Sequence, residues 1–408
     1  MGTYQNAFDD AFSDRIHELA TNLVESKLQS QGVHLNVRQR QALHVALRND
    51  KIDDFEIRSG PFHKSENVFL EITEEDLDKL EKEAERISSS INSETLTSIG
   101  DEAASRIFDS LNRSWPKERR RQKRNDRYFN KEHLGIWNQA IELLSMLRIL
   151  AVQMTESHML DIHKAKHNVS PITMGVVTRL HSRACQTMGE IIALLKAGYA
   201  DGAMARWRTL HEISVILNFI VENGEDVAIK YADHKAIHIY KSAKEYCRYY
   251  ERLGYEPMTE EEFSAVRTDY EKQIEKYGAP FKNDYGWAAE ALNMTRPTFR
   301  DMEEAVKLDH FHTYYGFACH SVHCDSKGTF SRVGVSADNS PVLVGPSVFG
   351  LIDPISCSSI SLVQTTMPLL CFESTLDSYI SCRILVLMLD KISQTLCAID
   401  DTNQSVSD

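Results

Sequence analysis

The scarcity of helix breakers constrains this chain more than any other feature. Its 408 residues include 10 prolines and 18 glycines, so most segments run long without a residue that interrupts a helical hydrogen-bond ladder. Apolar residues recur in those segments at helical rather than alternating spacing, as in "EHLGIWNQAIELLSMLRILAVQMTESHML" from Glu132 onward. The expected class is all-α: a multi-helix bundle with a smaller, charged, mostly helical N-terminal region.

The change of texture falls near residue 130, which predicts an N-terminal region over 1–130 and a helical bundle domain over 131–400. In the first, "FSDRIHELATNLVESKLQ" predicts a helix capped by Ser13, and "NVRQRQALHVALRND" a second, shorter one. "KIDDFEIRSGPFHKSENVFLEIT" alternates around Gly60-Pro61 and predicts a small hairpin. Thr73 then opens an acidic amphipathic helix. The stretch 114–127 holds seven basic and two acidic residues. It reads as a solvated linker, or as a patch for nucleic acid or an acidic partner.

In the second region Ser170-Pro171 opens a helix that closes at Gly198, and a short connection leads to another, an αα-hairpin. A single helix over 226–254 follows, then charged helical sequence to about 300, a loop or hairpin at "RVGVSADNSPVLVG", and a C-terminal helical segment broken near Pro368.

Composition narrows function. A formal charge of -13 means that any contact with phosphate backbones must come from a local basic patch. The eight cysteines form no C-x-x-C pair, and no apolar signal core opens the chain. The most apolar stretch, near 378–396, is interrupted by Arg383, Asp390 and Lys391. A cytoplasmic protein with reduced thiols and no membrane contact is expected. No Walker A loop, G-x-G-x-x-G turn or G-x-S-x-G elbow occurs, and "HKAKH" (163–167) lacks the glutamate of a zinc protease helix. No cofactor and no resident metal are expected.

Three polar constellations interrupt apolar helices. In "ARWRTLHEISVILNF", Arg206, Arg208, His211 and Glu212 lie among residues apolar on every side. Arg208 and Glu212 are spaced to pair along the helix. They either form an internal ion pair or face a cavity that takes an anion. Next comes a stripe of Tyr231, His234, His238, Lys241 and Glu245, opposite a packing face of Ala232, Ala236, Ile239, Ala243 and Cys247. Last, "YYGFACHSVHCDSKG" brings Cys319, His320 and His323 to one face, which also carries Asp309, His312 and Gly316. His312 and His320 are about 12 Å apart along that helix, too far to share one metal ion. A metal on His320 and His323 would need Glu212 or His234 as a third ligand. The alternatives are an acid/base histidine and a satisfied polar seam.

These same stretches, "LLKAGYADGAMARWRTLHEISVILNFI", "YADHKAIHIYKSAKEY" and "YYGFACHSVHCDSKG", together resemble the bacterial family called domain of unknown function 5677, over roughly 135–395. The resemblance implies an all-helical fold and matches its hallmarks to Arg208 with Glu212, Tyr231 with His234, and His320 with His323. Arginine and histidine on facing helices also look like the HEPN ribonucleases, whose hallmark is R-x(4–6)-H. Arg206 to His211 fits that spacing, as do Arg38–His44, Arg58–His63 and Arg127–His133, though Trp207 stands where that family carries a polar residue.

That second resemblance implies a metal-independent ribonuclease or phosphodiesterase, a bacterial defence or toxin effector that takes RNA and forms homodimers. Arg208, Glu212, His320 and His323 would be catalytic, with Tyr231, His234 and Tyr315 binding ligand. The N-terminal region would meet a protein partner. The alternatives are a non-enzymatic helical sensor for a small anion or nucleotide, and a structural interaction module.

Overall fold

The computed structural model describes residues 2–49, 70, 72–89, 93–165, 170–323, 326–330, 334–335, 343–372 and 375–407. Helices make up nearly all of this, and no strand occurs among the described residues. The hairpin expected at 51–73 and the loop or hairpin expected at 332–345 lie mostly outside them. The chain divides into two compact units, Met1–Asp126 and Arg127–Asp408.

The first unit contains α1 (Gly2–Ser30), α2 (Val37–Arg48), α3 (Glu74–Ser89) and residues 93–126 of α4 (Ser93–Ala165). Ser13 is not a cap: nothing in residues 3–12 breaks the helix, so α1 begins earlier and Ser13 sits in its middle. Asn36 and Gln39 form a reciprocal capping box on α2. Thr73 and Asp76 do likewise for α3, the Thr73 amide and hydroxyl donating to the Asp76 carboxylate. Val24, Leu28 and Leu43 form one small core; Ala11, Ile99 and Ala103 form another. Charge does the remaining joining, with Arg40 held by Glu18 and by Glu25 at 2.9 Å, and Arg48 by Asp14 at 3.0 Å. The basic stretch 114–127 is helical and almost entirely solvated.

The second unit is the larger bundle. Residues 127–165 of α4 supply Trp137, Ile141, Leu144 and Leu147 to its core. α5 (Pro171–Lys196), capped by Ser170, and α6 (Ala200–Asn223) form the expected antiparallel hairpin, turned by Gly198 at φ 76°. The helix predicted over 226–254 is two, α7 (Glu225–Asp233) and α8 (Lys235–Leu253), meeting at His234. The offset moves the packing face: Ile237 and Ala243 are buried while Ile239 is exposed. α8 instead meets α9 (Glu260–Tyr277) through Tyr240 stacked on Tyr270 at 4.2 Å.

Short 3-10 turns at Ala279–Lys282 and Gly286–Ala288 replace the helix expected toward residue 300. Then come α10 (Phe299–Ala305), a 3-10 turn at Asp309–Phe311, α11 (His312–His323) and α12 (Ser326–Phe330). The C-terminal segment is α13 (Ile352–Leu370) and α14 (Leu376–Ser407). Pro368 lies in the last turn of α13, and the break follows it. Helix α6 is central: α5, α10, α11 and α13 all pack on it. Among the described residues no helix is long and apolar enough to cross a membrane.

Candidate functional site

Because α6 is covered by four neighbours, its polar residues must find partners on them or face a gap. Arg208 and Glu212 look toward α11. The Arg208 Nη2 donates to the Tyr315 hydroxyl at 3.0 Å, and that hydroxyl donates to Glu212 Oε1 at 2.7 Å. Arg208 Nη2 also lies 3.2 Å from the same carboxylate oxygen, with the two side chains about a quarter exposed. The guanidinium carbon stands 5.0 Å from the Tyr315 ring centroid. Burial pulls the guanidinium pKa down, but the Tyr315 bond and the Glu212 charge outweigh it and leave the net direction upward. Burial, then the bond to Glu212, pushes the Tyr315 hydroxyl well above its ordinary value. Tyr285, packed nearby on Phe299, is pushed up to about 12 by burial and by the charge of Glu212.

A second layer lies beneath. His211, one residue before Glu212, points into the core and donates from Nε2 to Glu303 Oε1 at 2.8 Å. His312, the first residue of α11, donates from Nδ1 to the other oxygen of Glu303 at 2.7 Å. Both contacts are to oxygens of one carboxylate, so each ring nitrogen is taken as the donor. His211 and Glu303 are wholly buried, whereas the His312 side chain is 38% exposed. Glu303 is held in place by α10, whose first turn is closed by a Thr298–Asp301 capping box.

Aromatic rings tie the layers together. Trp207 stacks on His211 at 5.3 Å, Phe299 on Tyr315 at 4.9 Å, and His312 on Tyr315 at 5.9 Å. Two buried nitrogens of the site, Arg208 Nε and His211 Nδ1, have no hydrogen-bond partner among the described residues.

Of the residues singled out from sequence, Arg208, Glu212 and Tyr315 are brought together. His323 is exposed and His320 half-buried. They follow Tyr315 by eight and five residues, roughly 12 and 7.5 Å along the helix axis. The side chains in direct contact with Arg208 include Tyr315 and Glu212. Tyr231 and His234 belong to another neighbourhood. His234 is buried and donates to the carbonyls of Phe281 and Asn283 at 3.0 and 2.8 Å. Burial brings its pKa down to about 4. Tyr231 packs edge-on to Trp287 at 5.0 Å, and burial raises its hydroxyl pKa. The ends of the R-x-x-x-x-H match part company too: Arg206 binds Glu190 on α5, while His211 binds Glu303 on α10.

Among the described residues no group of three or more His, Cys, Asp or Glu side chains is disposed to hold a metal ion. The side chains of His163 and His167 lie outside the described residues. Sequence reasoning missed Glu303 and the part of His312. A signal existed: Phe299, Met302, Glu303 and Val306 share the i, i+3, i+4, i+7 face of one helix, a carboxylate inside an apolar stripe.

Residues 174–340 match the model of a family described as a Family of unknown function (DUF5677). The resemblance to that family is therefore shown, over a shorter span than the sequence suggested. The span begins inside α5 and takes in α6, α10 and α11, so every residue of both layers falls within it. No curated protein matches the chain, and no solved structure does.

Proposed function

We propose that the α6–α11 seam is the active site of a metal-independent phosphodiesterase acting on RNA, a cytoplasmic enzyme of the kind that serves bacterial defence or toxin systems. The observation that supports this most is Glu303. A buried carboxylate orients His312 by its Nδ1 proton, and the exposed His312 ring stacks on the tyrosine that binds Arg208. A cation for the phosphate and a carboxylate-backed imidazole for the proton are what attack by a ribose 2′-hydroxyl requires.

In this reading the phosphate displaces Glu212 from Arg208. His312 takes the 2′-hydroxyl proton through Nε2 as the 2′ oxygen bonds to phosphorus. The bond to the 5′ oxygen breaks, and Tyr315, kept protonated by its raised pKa, supplies the leaving oxygen with a proton. In this reading the acid/base role goes to His312 rather than to His320 and His323, because its ring stacks on Tyr315, the tyrosine that binds Arg208.

In the alternative of a small-anion sensor, the anion would likewise displace Glu212 from Arg208. Such a protein would bind an anion there without turnover.

The test is incubation of the purified chain with defined RNAs in EDTA, beside the His312→Ala, His323→Ala and Arg208→Ala proteins. Cleavage that leaves 2′,3′-cyclic phosphate ends, lost in His312→Ala and Arg208→Ala but kept in His323→Ala, is the expected result. Absence of cleavage by the folded wild-type chain, with saturable phosphate binding lost in Arg208→Ala, would replace it with the sensor reading.

A further inference from the structure

One helical turn before Arg208, the same seam opens into a cavity of about 540 Å³ that neither layer of the candidate site uses. Four aromatic side chains stand around it: Trp137 of α4, Tyr314 and Phe317 of α11, and Phe349 of the segment before α13. Tyr314, Phe317 and Phe349 are 38%, 46% and 46% exposed, a concentration of apolar ring surface that folding has left uncovered. The wall is fixed, since the Trp137 indole donates to the Val348 carbonyl at 2.8 Å. Among the described residues, the charged groups lining it are the carboxylates of Asp353 and Asp400. Asp353 is near enough to Tyr314 to be the chief cause of the raised pKa of its hydroxyl. The cavity therefore has ring-lined walls and a hydrogen-accepting end.

Three ligand classes can be compared. Carboxylates at the polar end repel an anionic head group. An organic cation would suit the rings and the acids, but the Phe317 ring already has the Lys327 ammonium 4.5 Å from its centroid, so an entering cation meets a like charge. A flat, neutral ring with two adjacent N–H donors meets neither objection. It stacks on exposed aromatic faces, as bases do in single-strand sites, and one carboxylate can accept both donors side by side.

We infer that this cavity is a nucleobase pocket selective for guanine, with Phe349 as the stacking face and Asp353 accepting from the N1–H and N2–H groups. The inference deepens the phosphodiesterase reading, because it seats a base one turn along α6 from the arginine assigned to phosphate. Yet it stands on its own residues and can fail alone.

The experiment is calorimetric and fluorescence titration of the full chain with guanosine, inosine, uridine and choline, none of which carries a phosphate. Guanosine should bind saturably and perturb tryptophan emission through Trp137. Inosine, lacking the second donor, should bind several-fold more weakly, and uridine more weakly still. Asp353→Asn should cost guanosine at least tenfold and abolish its advantage over inosine, with Phe349→Ala as the independent check on stacking. Arg208→Ala should leave guanosine binding intact, so loss of cleavage beside retained nucleoside binding would strike the catalytic reading and not this one. No saturable guanosine binding, equal binding by the Asp353→Asn protein, or preference for choline would each overturn the pocket assignment.

Discussion

A carboxylate cut off from water is costly unless both of its oxygens are hydrogen-bonded, and Glu303 meets that condition by giving one oxygen to His211 and the other to His312. Glu303→Gln would turn an amide N–H₂ toward one of those imidazole donors. We expect it to lower unfolding free energy by about 1–3 kcal/mol, and Glu303→Ala by about 3–5 kcal/mol, measured by urea denaturation. A fall of less than about 0.5 kcal/mol on either substitution would mean that water already shares the site. Tyr315→Phe keeps the ring contacts with Phe299 and His312 and removes only the hydroxyl between Arg208 and Glu212. Its stability cost should be about 1 kcal/mol, while RNA cleavage falls at least a hundredfold; unchanged cleavage would remove Tyr315 from the mechanism. Arg208 and Glu212 were legible in the sequence because opposite charges at i, i+4 in an all-apolar helix must pair with each other or face a ligand. The place of His320 and His323 relative to that pair was not legible in the same way. Periodicity tells which residues share a face of α11 but not which of them meets α6, and it is Tyr315 that bonds Arg208 and Glu212.

Helix ends were easier to read than helix faces. Ser170-Pro171 starts α5 as its chemistry requires, and Thr73 starts α3. The Ser13 error came from treating a capping residue as sufficient, when a cap acts only where the preceding residues leave the helix. Thr298 is a cap that matters to the site, because α10 is a seven-residue helix whose burial of Glu303 depends on its first turn. Thr298→Ala should cost about 1 kcal/mol; a thermal melt unchanged within error would show that packing alone holds α10. The α13–α14 connection carries a pair that sequence spacing could not reveal. Exposed Cys371 ends α13 and buried Cys382 lies in α14, with their sulfurs 3.9 Å apart. Burial and the neighbouring thiol push Cys382 up to about 11, so an oxidant should meet Cys371 first. Treatment with diamide, which accepts the two electrons and two protons released, should join the pair as a disulfide. Peptide mapping should then recover one crosslinked species missing two hydrogen masses, reversible by dithiothreitol. Independent labelling of both thiols after treatment would refute it.

At the scale of the molecule, burial lowers the pKa of three histidines of the bundle, His133, His181 and His234, and they shape its response to acid. His181 bonds Thr366 inside the α5–α13 packing, and His234 bonds two carbonyls; burial brings both down to about 4 from an ordinary 6.5. His133, donating to the Leu195 carbonyl, is shifted the same way. A depressed histidine pKa means that the unfolded chain takes up protons first as pH falls, so stability must decline with falling pH between about 6.5 and 4. Above 6.5 these groups are neutral in both states and contribute no slope. His181 alone would account for on the order of 3 kcal/mol over the full window. Asp353, whose carboxyl is raised by burial, works the other way above its ordinary value. Two compact units need not unfold together, so the bundle should be followed by a probe of its own, the near-ultraviolet signal of buried Trp137 and Trp207. We expect the midpoint of that signal to be flat from pH 8 to 6.5 and to fall steadily below it, with the slope reduced in His181→Gln. A midpoint independent of pH across that window would mean that the imidazoles are protonated in the fold. An interior of neutral imidazoles, bonded to carbonyls and hydroxyls, would then be the wrong description of this bundle.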